Sequence, residues 1–112
     1  NAIKVADILE EKDISCSVIN MHTIKPLDSD AIKIASQKHK LIVTIEEHSI
    51  YGGLGSAVSE ILAKMGSYVA FDIIGINDVF VKAGDYQYQL EQSGLSVEQI
   101  TNRILHSMNK LK

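Results

Sequence analysis

Glu46, Glu47 and His48 stand in succession and run into Tyr51-Gly52-Gly53-Leu54-Gly55-Ser56. Carboxylates and imidazoles are the side chains that most readily take up and release protons in catalysis, and both bind metal ions. Glu46, Glu47 and His48 are therefore the candidates for a general acid, a general base or a ligand set. The turn that follows carries a different chemistry. Backbone N–H groups and the positive end of a helix dipole attract anions, which makes Gly52, Gly53, Gly55 and Ser56 a candidate phosphate loop.

Each group also has a plainer use. Consecutive residues of a strand point to opposite faces, so Glu46 and Glu47 do not converge on one small site while the strand continues. On that reading one carboxylate caps or pairs locally and the other is solvated. Gly52 and Gly53 serve as a tight turn, and Gly55 as the point where a helix comes close to a sheet. The glycine spacing matches neither the dinucleotide fingerprint nor a Gly-Lys-Ser/Thr phosphate loop. No residue here earns a firm catalytic or cofactor-binding role from sequence alone.

The other reactive side chains are dispersed. His22, His39 and His106 have no second ligand at helical or hairpin spacing, so no metal site is expected. Cys16 is the only cysteine; it lies between Ile14 and Val18 in an apolar alternation and is expected to face a core rather than act as a nucleophile. Asp85 to Gln92, with Tyr86, Tyr88 and Leu90, reads either as a partner-facing patch or as a helix covering a sheet edge.

The elements that position these residues follow from periodicity. Ala2, Val5, Ala6 and Leu9 keep helical spacing. Ile14 to Asn20 alternates and is read as a strand that leaves the core at Met21 and His22. Pro26 bars helix just before it, and Asp28 is a good N-cap for a helix carrying Ala31, Ile32, Ile34 and Ala35. Leu41 to Ile45 has the continuous apolar character of a strand buried on both faces of a parallel sheet. Leu54, Ala57, Val58, Ile61, Leu62 and Met65 form a helical stripe that stops at Gly66. Val69 to Ile74 is a third strand. An irregular stretch from Gly75 to Gly84 leads to a short helix from about Asp85 to Ser93, ended by Gly94. A last helix opens with a capping box of Ser96 and Gln99 and buries Val97, Ile100, Ile104 and Leu105.

Strands alternating with helices predict an α/β fold with a mainly parallel sheet. Ligands of such sheets bind beyond the carboxyl ends of strands, which directs attention to His22 and Thr23, to Glu46 through His48, and to Asn77 and Asp78. With 112 residues the chain is one domain, and a net charge of −3 with both signs scattered argues against nucleic acid. No apolar run is long enough to span a membrane and no signal-peptide pattern opens the chain, so a cytoplasmic location and no membrane partner are expected.

Three stretches carry a family resemblance. Cys16-Ser17-Val18-Ile19-Asn20-Met21-His22-Thr23-Ile24-Lys25-Pro26-Leu27-Asp28 resembles the strand and Thr-Ile-Lys-Pro-Leu-Asp turn of the transketolase C-terminal domain. Ile42-Val43-Thr44-Ile45-Glu46-Glu47-His48 with Gly52-Gly53-Leu54-Gly55-Ser56-Ala57-Val58 is similar to that family's Glu-Glu-His and Gly-Gly-x-Gly-Ser signature. Ile74 to Asp78 and Gly94 to Ser96 resemble its ending. The pattern is shared by transketolase, deoxyxylulose-phosphate synthase and the β part of 2-oxo-acid dehydrogenases.

The resemblance implies a three-layer α/β/α sandwich at the end of a thiamine-diphosphate-dependent enzyme that also uses a divalent metal. In that family the cofactor is held by N-terminal and middle domains, which would be this chain's partners, as separate domains or as a subunit, in a homo-oligomer such as a dimer. The resemblance further implies an assembly role, with no cofactor bound by this chain alone and none of its residues turning over substrate. Family members begin the domain with two further strands that would precede Asn1, so the domain is expected to be N-terminally truncated, with three of five strands. A reading of another class is a free-standing regulatory module that holds an anion at Gly52 to Ser56.

Overall fold

A computed structural model of the chain describes residues 2–21, 28–49, 53–76 and 94–111, apart from the side chains of 47–49 and 76. The elements in chain order are α1 (Ala2–Glu11), α2 (Ser29–Lys38), β1 (Leu41–Ser49), α3 (Leu54–Met65), β2 (Ala70–Ile76) and α4 (Val97–Lys110). The short helix expected around Asp85 to Ser93 lies outside the described residues.

Local chemistry sets most boundaries. The Asp28 carboxylate accepts from Ala31 N at 3.0 Å and starts α2. At α4 the Ser96 hydroxyl accepts from Gln99 N while the Gln99 side-chain oxygen accepts from Ser96 N, completing the capping box. Gly66, at φ +66°, ends α3 in the left-handed conformation that lets Ser67 N reach back to the Leu62 carbonyl.

Asp13 ends α1 in the same way at φ +62°, with Ile14 N donating to the Leu9 carbonyl. A side chain in that conformation is strained, and aspartate only partly escapes the strain. Asp13→Gly is expected to stabilise the fold by about 0.5 kcal/mol in urea unfolding. A loss of stability would show that the Asp13 side chain holds a contact of its own.

β1 and β2 pair in parallel, from Leu41 opposite Ala70 to Ile45 opposite Ile74, with α3 as the crossover. The alternation of side chains divides the core in two. Leu41, Val43, Ile45 and Ile74 face α1 and α4, where Val5, Leu9, Leu95, Ile100 and Ile104 bury together. Ile42 and Phe71 face α2 and α3, against Ile32, Val58 and Leu62. Helices thus cover both faces of the strands, the α/β/α layering expected from sequence. Each fully buried aliphatic side chain, such as Ile74 or Ile100, stabilises the fold by roughly 2 kcal/mol through removal from water.

One expectation needs correction: Ile14 to Asn20 is not a strand, since the described sheet has two strands only. The segment has a strand's alternation without a ladder. Ile14 and Cys16 pack on the α1/α4 side and Met21 on the α2/α3 side, while Val18 and Ile19 remain 47% and 48% exposed. Propensity makes a segment extended, but a strand requires a neighbour within hydrogen-bonding distance.

Candidate functional site

β1 delivers the acidic pair to the carboxyl end of the sheet, where its pairing becomes irregular: Ile45 lies opposite Ile74, but Ser49, four residues on, lies opposite Ile76, only two residues on. Glu46 follows Ile42 and Thr44 on the face toward α2 and α3. It is 9% exposed, a degree of burial that a carboxylate tolerates only with partners.

The partners are the first amides of α3. The Glu46 carboxylate accepts from Leu54 N at 2.6 Å through Oε2 and from Gly55 N at 3.3 Å through Oε1. The residue at the N-cap of α3 is Gly53, which has no side chain to cap with. Glu46 therefore does from the strand what serine or aspartate does locally elsewhere, and adds a negative charge at the positive end of the helix dipole.

The glycines fit this arrangement. A Cβ on Gly53 would fall 2.7 Å and 2.8 Å from the two Glu46 carboxylate oxygens. Its φ of −94° is open to any residue, so space for the carboxylate is the constraint. A Cβ on Gly55 would fall 2.5 Å from Ile73 Cγ2 on β2, so α3 approaches the sheet where only glycine fits.

The other candidates separate. Ser56 lies in the first turn of α3, and its carbonyl accepts from the Ser59 hydroxyl. The backbone of Glu47 and His48 belongs to β1, while their side chains lie outside the described part. Gly52, His22, Thr23, Asn77 and Asp78 also lie outside the described residues. Among the described residues there is no cluster of three or more His, Cys, Asp and Glu able to hold a metal ion, and no helix long and apolar enough to cross a membrane.

Cys16 is half-buried against the α1/α4 core, with its Sγ 3.5 Å from the Ile14 carbonyl oxygen. Burial, and secondarily the Glu10 carboxylate, push its thiol pKa above the ordinary value. The thiolate is the nucleophile, so at pH 8 iodoacetamide is expected to alkylate the folded chain more slowly than the urea-unfolded chain. With the folded pKa raised, this contribution to stability is complete below the unfolded pKa and disappears as pH rises through the folded one. Equal alkylation rates would contradict the assignment.

Sequence reasoning missed a second link between layers. Arg103 on α4 donates from Nε and Nη2 to the two Asp72 carboxylate oxygens, both at 2.9 Å, and from Nη2 to the Ile73 carbonyl at 3.0 Å. The pair is solvent-exposed, so it orients α4 on β2 more than it stabilises the fold. It borders an open groove with His106, Lys110, Leu41 and Ala70, at the amino ends of the strands and away from Glu46.

Comparison with known proteins connects this geometry to a family. The family model for the transketolase C-terminal domain matches residues 1–100. The chain belongs to that family. A transketolase C-terminal section from Methanocaldococcus jannaschii is 42% identical over 109 residues, covering 97% of this chain and 34% of that protein. The 1-deoxy-D-xylulose-5-phosphate synthase of Nitrosococcus oceani is 41% identical over 101 residues, or 89% of this chain and 16% of the synthase. A solved structure described as a split gene transketolase, inactive beta4 tetramer, superposes with a TM-score of 0.86 at 33% identity, over 96% of this chain and 35% of that one. The chain thus spans about a third or less of the transketolase-type relatives it matches, and the three-layer fold expected from sequence is the family's.

Proposed function

We propose that this chain is the non-catalytic C-terminal assembly section of a cytoplasmic transketolase-like enzyme. The complete enzyme transfers a two-carbon ketol unit between sugar phosphates, with thiamine diphosphate and a divalent metal held by N-terminal and middle domains. The observation that carries this reading is the position of Glu46. The α3 N-terminus offers backbone amides and the positive end of a helix dipole, and the chain's own carboxylate takes the amides of Leu54 and Gly55 there. A diphosphate at that point would meet like charge, so the described residues do not fit the cofactor.

The sheet supports dependence on other protein. β1 is paired only with β2 among the described residues, and residues 14–20 belong to no helix or strand. In this reading Val18 and Ile19, 47% and 48% exposed in this chain, are covered on assembly into a homo-oligomer such as a dimer. Exposed edges of this kind favour pairing with further chain.

The synthase reading is supported by relatives such as that of Pelotomaculum thermopropionicum, 38% identical over 105 residues. The likeness to a split gene transketolase favours ketol transfer over the synthase reading, and the sequence from Met21 to Asp28 favours it over a 2-oxo-acid dehydrogenase. An anion-binding regulatory module would require phosphate to displace Glu46, and would be detected as a phosphate-dependent rise in melting temperature.

The deciding experiment mixes the purified chain with the polypeptide that carries the thiamine-binding domains. Ketol transfer is expected from the mixture, and His48→Ala is expected to leave it intact if that residue serves packing. Thiamine-diphosphate binding or turnover by the chain alone would overturn the proposal.

A further inference from the structure

From Tyr68 to Ile76 the chain reads Tyr-Val-Ala-Phe-Asp-Ile-Ile-Gly-Ile, with Asp72 its only charged residue. A segment of this kind, apolar, β-prone and free of proline, pairs readily with copies of itself wherever its edge is open. β2 pairs with β1 on one side and has no strand on the other among the described residues. Phe71 and Ile73 are only half-buried. Asp72 lies two residues before Ile74 and so shares its face, beneath α4, where Arg103 meets it with two bonds of 2.9 Å. A third bond, 3.0 Å from Arg103 Nη2, goes to the Ile73 carbonyl. A guanidinium does not fit between paired strands about 4.8 Å apart, so Arg103 meets that carbonyl outside the ladder with β1. With side chains 45% and 23% exposed, the ion pair adds little to stability, and stability alone does not account for its place on the strand.

We infer that Asp72 and Arg103 form a gate on the open edge of β2, which keeps that edge from pairing with β2 of a second copy of this chain. Arg103 occupies a backbone acceptor that an incoming strand would use, and the pair sets charge in the middle of an otherwise apolar strand. Natural sheets protect their edges by such charges. The excluded occupant is a second copy because every copy carries the same edge, and antiparallel pairing of β2 with itself is two-fold symmetric. The contacts of any native oligomer then lie elsewhere on the chain, so the inference stands apart from the assembly reading above.

Asp72→Ala/Arg103→Ala tests it by sedimentation over a range of concentrations, beside thermal melting and amide hydrogen exchange. The double variant should melt within about 5 °C of wild type. At temperatures where it is folded it should self-associate at least about tenfold more tightly than wild type, with new exchange protection at the amides of Ala70 to Ile76. Arg103→Ala alone, which leaves Asp72 as a lone charge, should fall between the two, and it carries the test if the double variant does not fold. A folded variant that sediments as wild type does, one that associates only where it unfolds, or one that gains protection elsewhere but not in β2, overturns the inference.

Discussion

Gly55→Ala is expected to destabilise the domain by about 2–3 kcal/mol, and to lower its melting temperature by roughly 10 °C. The sign is informative, because alanine in a helix is intrinsically favoured over glycine by about 1 kcal/mol. Opposing that gain is the approach of α3 to β2: the added carbon would lie 2.5, 2.8 and 2.9 Å from three side-chain atoms of Ile73. Overlaps of this size force a shift of the helix or a strained rotamer at Ile73. Because Ile73 is the obstacle, Ile73→Ala should partly rescue Gly55→Ala, and a double-mutant cycle should show strong coupling between them. A Gly55→Ala variant as stable as wild type, or additive with Ile73→Ala, would mean that α3 does not rest on that side chain.

Glu46→Ala is expected to cost about 3 kcal/mol and Glu46→Gln about 1 kcal/mol, read from urea unfolding. Alanine leaves the Leu54 and Gly55 amides without their acceptor in a buried setting, and opens a space beside Gly53. Glutamine keeps one acceptor oxygen and loses the charge that complements the helix dipole. The same pair separates structure from chemistry. If Glu46 acts only by capping α3, the assembled enzyme carrying Glu46→Gln should retain ketol transfer in proportion to the folded complex present. A fall in turnover of a hundredfold or more, with the complex intact, would assign Glu46 a part in proton transfer instead.

The contrast between the caps explains what could be read in advance. Asp28 with Ala31, and Ser96 with Gln99, act across three residues of one helix turn, so residue type and spacing are enough to recognise them. Glu46 reaches amides eight and nine residues away, and Arg103 pairs with Asp72 at a separation of 31. Those contacts exist only after strand and helix have packed, and periodicity carries no trace of them. One local clue did exist: Gly53 before a helix leaves a cap to be supplied from elsewhere, and a nearby acidic pair could supply it.

The helical stripes were legible in outline but drawn too wide. Ile34 and Met65 keep apolar spacing yet are 50% and 37% exposed, whereas Ile32, Val58 and Leu62 bury. Residues 14–20 mark the limit of propensity. Their alternation has the pattern of a strand, and Ile14 and Cys16 pack on the α1/α4 side, but no property of the segment itself can create the neighbour a ladder requires.

The most direct test of the assembly role is a titration. Increasing amounts of this chain are added to a fixed amount of the polypeptide carrying the thiamine-binding domains, and ketol transfer is followed with thiamine diphosphate and divalent metal present. The rate should rise from near zero and level off once the two polypeptides are present in equal numbers, with no rate from this chain by itself. Full activity of the partner before any addition, or turnover by this chain alone, would contradict it.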